Sequence, residues 1–170
     1  MPFSDTSSHR TGRRAFLTVS GLALSATAFA LAGCSTRSAL TPTPGAADES
    51  AAALPMVNTL RQSHGLSTLS LDNKPTIAAE QQAVRMAKAE EMSHLIGLGD
   101  SFFNRMKSAD VPLPAAENIA SGQQTVDRAV QAWIDSPKHL ENMLGNYKSV
   151  GVAVARGQNG RTYWSMVLSS

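Results

Sequence analysis

Between Val126 and Ile134 the apolar residues Val126, Ala129, Val130, Trp133 and Ile134 fall at i, i+3, i+4, i+7 and i+8, one stripe that predicts a helix laid on a core. Ser136-Pro137 starts the next helix, serine as N-cap and proline at the first helical position, and Gly145 after Leu144 closes it. His139 therefore sits in a first turn. Upstream, a helix capped by Asp48 or Ser50 and running through Arg61 turns Leu54, Val57 and Leu60 inward, with Gly65 just beyond its end. Pro55 lies early enough in it to be tolerated. A second helix starts after Asp72, carries Pro75 in its first turn and reaches about Met92. Its inward side, Ala79, Ala83 and Ala87 with Ile77 and Val84, is built of small residues and implies close packing. Phe102–Ser108 adds a short helix, ended by Val111-Pro112-Leu113-Pro114.

After Ser149 the period changes to two. Val150, Val152 and Val154 alternate, Asn159-Gly160 supplies a tight turn, and Thr162–Leu168 returns with Trp164, Met166 and Leu168 on one side. That predicts a C-terminal antiparallel hairpin, to which Ala116–Ser121 contributes a further strand. Helices followed by a hairpin, without βαβ alternation, give an α+β domain in which a small antiparallel sheet is covered by helices.

The N-terminal pattern differs. Arg10, Arg13 and Arg14 precede a weakly apolar run from Ala15 to Leu31, and Leu31-Ala32-Gly33-Cys34 follows, the order of regions in a secretory signal. An uncleaved membrane anchor fits less well, because the run is short and diluted by Ser20, Gly21, Ser25 and Thr27. Arg13-Arg14-Ala15-Phe16-Leu17 is similar to the twin-arginine export signature, and Leu-Ala-Gly-Cys resembles a lipobox, in which Cys34 receives a diacylglycerol. The expected organisation is a signal peptide over 1–33, a lipidated linker over 34–47 rich in Ser, Thr, Pro and Gly, and one domain over 48–170. Cys34 is the only cysteine, so no internal disulfide staples the fold. Ser35 is not the aspartate associated with inner-membrane retention, which points to the outer membrane where a cell has two. Removing Met1–Gly33 takes three of the 15 basic and one of the 13 acidic residues, leaving 12 of each. A neutral mature chain gives no support for nucleic-acid binding.

His9 leaves with the signal. His64, in Ser63-His64-Gly65, reads as a solvated loop residue; His94 suits the end of the second helix, where the dipole favours a cation. Glu117, in Ala115-Ala116-Glu117-Asn118-Ile119-Ala120, lies among apolar residues, where a carboxylate is costly unless paired. It is either an exposed loop acid or one that needs a partner.

Taken in order, the motifs of Val57–Leu168 resemble the bacterial branch of the CAP superfamily, the SCP-like domains of cysteine-rich secretory, antigen-5 and pathogenesis-related proteins. The carriers are Asn58-x-x-Arg61 with Gly65-Leu66 and Leu69; Met92-Ser93-His94; Glu117-Asn118-Ile119-Ala120-x-Gly122; Trp133-x-x-Ser136-Pro137-x-His139-x-x-Asn142-Met143-Leu144; and Gly151-Val152-Ala153 with Tyr163-Trp164. The resemblance implies an α–β–α sandwich and a shallow cavity lined by two histidines and two acids. His94 and His139 match the two histidines and Glu117 one acid. The second acid is replaced by Ser136, and Asp135 beside it points from another part of the turn; Ala116 replaces a usual glycine and Leu140 a usual arginine.

Two imidazoles and a carboxylate suit either a weakly held Zn²⁺ or other divalent metal on His94 and His139, or a hydrogen-bonded cluster that needs none. No resident cofactor is expected. The sequence shows no nucleophile with a base, no phosphate loop and no His-Glu-x-x-His. Three functions stand: a non-catalytic envelope module binding an apolar or lipid-like ligand; a metal-dependent hydrolase of a peptide or envelope polymer with Glu117 as base; and an interaction protein whose cavity is only structural. The first expects a cleft bordered by apolar helices such as Val126–Ile134 and a membrane partner reached through the lipid on Cys34.

Overall fold

The computed structural model describes Thr43–Ser170. Expectations that rest on Arg13, Arg14 and Cys34 lie outside the described residues. The elements run β1 (Ala46–Asp48), α1 (Ser50–Ser63), β2 (Ser70–Leu71), α2 (Asn73–Ala89), α3 (Phe102–Ser108), β3 (Ala115–Ser121), α4 (Val126–Ile134), α5 (Pro137–Met143), β4 (Ser149–Arg156) and β5 (Thr162–Ser169). No helix among the described residues is long and apolar enough to cross a membrane.

The sheet order is β1-β4-β5-β3, antiparallel throughout except that β2 adds two residues parallel to β4. The hairpin sits where the alternation places it, with Val150 opposite Leu168 and Val152 opposite Met166. Both of its faces are buried, which makes the fold a three-layer α–β–α sandwich. On one side Val150, Val152, Trp164, Met166 and Leu168 pack with Ala53 and Val57 of α1, Ala129, Val130 and Trp133 of α4, and Met143 of α5. On the other, Ala153, Ala155, Tyr163 and Val167 meet Ala79, Ala83, Met86 and Ala87 of α2 and Met106 of α3. The alanine face of α2 allows the close approach that its small residues imply. At Gly151 a Cβ would lie 2.1 Å from the Thr76 nitrogen and 2.4 Å from the Pro75 carbonyl carbon, so only glycine fits there.

Three boundaries differ from the sequence reading. The sheet begins inside the expected linker, because Ala46 and Ala47 pair with Ala155 and Val154. α1 starts at Ser50, and its cap position falls on Glu49 without a side-chain bond; the Asp48 carboxylate instead accepts from the Ser50 amide at 2.8 Å. α2 stops at Ala89, short of Met92, where Glu90 takes a left-handed conformation at φ 54°. Asp72 caps α2 through the Lys74 amide as its sequence position suggests.

The opening Asn58-x-x-Arg61 motif ties α1 to its surroundings. Asn58 exchanges two hydrogen bonds with the Leu69 backbone, at 2.8 and 3.0 Å, and so holds the segment that leads into β2. Arg61 is buried and donates to the carbonyls of Ser67, Met143 and Gly145, which fixes the end of α5. Burial pushes its pKa down.

Candidate functional site

β3 forms one edge of the sheet, and its alternation separates two neighbours. Glu117 and Ile119 face the α2–α3 side, where Ile119 joins the core of that layer. Asn118 turns to the opposite side, where its amide donates to the His139 carbonyl at 3.0 Å and its oxygen accepts from Asn142 at 2.8 Å. Those bonds dock α5 on the strand and set His139 beside it.

His94 comes from the other layer. It lies in the loop between α2 and α3, whose backbone is held by side chains of both helices. Gln82 of α2 donates to the Ser93 carbonyl at 2.8 Å, and Arg85 to the Ile96 carbonyl at 2.8 Å. Arg105 of α3 donates to the His94 carbonyl at 3.0 Å. Asp100 anchors the return of the loop by accepting from the Ile96 amide at 2.8 Å and pairing with Arg85. Those hydrogen bonds and guanidinium charges hold the Asp100 carboxyl below the usual range against the upward push of its burial.

The two layers meet in a cavity of about 600 Å³ lined by His94, Glu117, Lys138, His139, Glu141, Asn142, Gly145 and Tyr147. The structure thus brings together the three residues expected of the site. Glu117 has a side chain only 2% exposed, yet its charge is matched. Arg105 Nη1 lies 2.7 Å from Oε2 and Nη2 3.1 Å from Oε1, a bidentate pair. His94 Nδ1 is 2.9 Å from Oε1. A carboxylate only accepts, so Nδ1 carries the proton and His94, half exposed, keeps Nε2 for the cavity. Burial lowers the pKa of His139, with the neighbouring His94 adding to it, and both favour its neutral imidazole. Tyr147 is pushed up by burial and presents a neutral phenol.

Asp135 is held in an exposed bond from Gln131 at 2.8 Å and does not line the cavity, consistent with its place on the helix turn. Sequence reasoning missed Arg105, which is the partner Glu117 needed. Its only sequence signal is a charge among the apolar positions Phe102 and Met106 of a short helix. The guanidinium lies over the Phe102 ring at 5.5 Å. Of the donors expected for a weakly held metal, Glu117 is engaged by Arg105 and His94, which leaves the imidazoles of His94 and His139 at the cavity. Among the described residues no three His, Cys, Asp or Glu side chains gather to hold an ion.

The profile of the CAP, or cysteine-rich secretory protein, family matches residues 54–168. This chain belongs to the CAP family. It is 33% identical over 99 residues to the uncharacterized protein YkwD of Bacillus subtilis (strain 168), a match that covers 57% of this chain and 38% of that one. The chain thus spans well under half the length of that relative. Among solved structures, an outer surface protein from Borrelia burgdorferi superposes with a TM-score of 0.61 at 20% identity, covering 69% of this chain and 88% of that one. An extracellular protein containing an SCP domain from Bacillus anthracis str. Ames gives 0.63 at 21% identity, over 71% and 40%. At these identities the likeness shows the CAP fold.

Proposed function

We propose that this CAP protein is an exported, lipid-anchored, non-catalytic binding module of the cell envelope that takes an apolar or lipid-like ligand. CAP proteins are generally non-catalytic, and the single observation that carries the reading here is the state of Glu117. A general base must reach water or substrate, whereas the Glu117 carboxylate is 2% exposed, neutralised by a bidentate Arg105 and also bonded to His94, so three of its four acceptor sites are filled. The cavity can recognise a hydrogen-bonding group through the His94 and His139 imidazoles, Asn142 and Tyr147.

The apolar ligand has a different place. Between α1 and α4 lies a groove of about 360 Å³ lined by Pro55, Met56, Thr59, Leu60, Ser63 and Ile134. Ile134 at the end of α4 borders it, and it excludes His94, Glu117 and His139, the residues assigned to the ligand cavity from sequence. We assign acyl or other apolar chains to this groove, where burial contributes about 25 cal/mol per Å² of apolar surface. The polar cavity at β3 is a separate recognition site. Cys34 carries the anchor, and the outer membrane is its destination in a cell with two membranes.

Mass spectrometry of lipid that co-purifies with the full chain tests the assignment. Met56→Ser with Ile134→Ser is expected to lose the lipid, while His94→Ala and His139→Ala keep it. Incubation with casein, peptidoglycan and ester substrates, with and without Zn²⁺, is expected to give no turnover. Turnover abolished by Glu117→Gln in a still-folded protein makes the binding reading untenable and restores the hydrolase.

A further inference from the structure

Six large hydrophobic side chains stand exposed among the described residues, and four of them, Met92, Leu95, Leu98 and Phe103, fall within twelve residues of chain. Leu98 is 107% exposed, more than an extended reference, and it sits between Gly97 and Gly99 at φ 86° and 76°. Single exposed leucines are ordinary on protein surfaces. A cluster presented on a loop this firmly held is not. The loop is pinned at Ser93, His94 and Ile96, ahead of its tip, by half-buried bonds from Gln82 and Arg85 and to Asp100, and by an exposed bond from Arg105. The tip from Leu95 to Gly99 carries no charged residue.

We propose that the α2–α3 loop, with Leu95 and Leu98 at its tip, is a lipid-bilayer contact that seats the domain on the membrane. The occupant follows from where the chain enters the domain. The Thr43 amide donates to Glu80 of α2 at 2.8 Å, and the loop rests on Gln82 and Arg85 of the same helix, so both belong to one outer layer of the sandwich. Five residues of helix separate Glu80 from Arg85, an axial rise of about 7.5 Å. Cys34 stands nine residues before Thr43, and nine residues span at most about 30 Å. An anchor at Cys34 therefore keeps the α2 layer within reach of the bilayer. Tethering raises the local concentration of lipid, so a few apolar side chains suffice where they would not hold a free domain. The uncharged tip makes the contact apolar, and Glu90 and Glu91 offset the exposed Lys88 and Lys107 that flank the loop.

The contact rests on the lipid-anchor reading, and one experiment separates the two. The full chain, purified with its N-terminal region, is reconstituted into phosphatidylcholine–phosphatidylglycerol vesicles with plain or brominated acyl chains. Leu98→Trp reports on the loop, and Gln131→Trp, exposed on α4 in the opposite layer, is the control. Trp133 and Trp164 are buried, 1% and 2% exposed, and give a constant background. The expected result is that Leu98→Trp shifts to the blue and loses intensity in brominated vesicles, at any salt concentration, while Gln131→Trp does neither. A chain that floats with vesicles but shows no selective quenching at position 98 overturns the contact and leaves the anchor standing. Failure to float overturns the anchor and the contact with it. A blue shift without bromine quenching that grows with protein concentration assigns the loop to a second copy, and overturns the contact as well.

Discussion

Arg105 and Glu117 form a bidentate ion pair, at 2.7 and 3.1 Å, in which the carboxylate is almost wholly removed from solvent. Removing one partner of such a pair strands the other in a medium of low polarizability, and costs about 3–5 kcal/mol. Arg105→Met is therefore expected to lower the unfolding free energy, read from urea titration, by that order. Arg105→Met combined with Glu117→Gln should recover part of the loss, since no unpaired carboxylate remains. A single-variant cost below about 1 kcal/mol would mean that water reaches the pair.

His139 gives the domain a dependence on pH. Its pKa in the fold lies below the ordinary value because burial, and then His94, disfavour the imidazolium. The unfolded chain therefore binds the proton more readily, and stability rises with pH across the interval between the two pKa values. The contribution is fully present above about pH 6.5 and is lost as pH falls below it. Urea midpoints between about pH 7.5 and 5 are expected to decline in the wild type more than in His139→Gln; parallel profiles would remove His139 as the cause.

Much of the fold is legible in the sequence, for identifiable reasons. α4 spans the expected residues because its five apolar positions share one stripe, and α3 and the hairpin follow their punctuation. β1 and β2, of three and two residues, are too short to show a period and exist only because β4 offers them an edge. The end of α2 escapes the sequence because the left-handed Glu90 carries no glycine or asparagine to mark it. Of the site, His94, Glu117 and His139 are legible as motif positions. Arg105 is not, since a guanidinium that crosses from a seven-residue helix to a strand leaves no pattern in either. Nor does the sequence divide the apolar groove from the polar cavity, because that division depends on which layer each helix joins.

Gly151 should tolerate nothing larger. Its missing side chain lets the Pro75–Thr76 backbone rest on β4, and a flexible side chain cannot move aside to make room because the obstacle is main chain. Overpacking usually costs about 1–3 kcal/mol. Gly151→Ala is expected at or above the top of that range, read from thermal or urea unfolding, and above the roughly 1–2 kcal/mol that Gly65→Ala loses to its left-handed backbone (φ 71°) alone, since its Cβ meets nothing within 4 Å. Equal effects at the two sites would show that α2 can shift off the sheet.

Cys34→Ala is expected to release the protein from the membrane fraction or leave it unprocessed, on immunoblots of fractionated cells. A mature-sized variant that still sediments with membranes and resists extraction would rule out the lipid anchor.

Arg85, Asp100, Arg105 and Glu117 form a continuous run of alternating charge, with each member close to the next: Arg85 pairs with Asp100, Arg105 Nε lies 3.4 Å from Asp100, and Arg105 grips Glu117. No member can change sign or disappear without leaving a neighbour uncompensated. The four positions are therefore expected to drift through evolution as a block, so that descendants either keep all of the charges or trade them together for neutral residues. A lineage that lost the ladder would also lose the support of the His94 loop, and with it the reason to keep leucines at its crest.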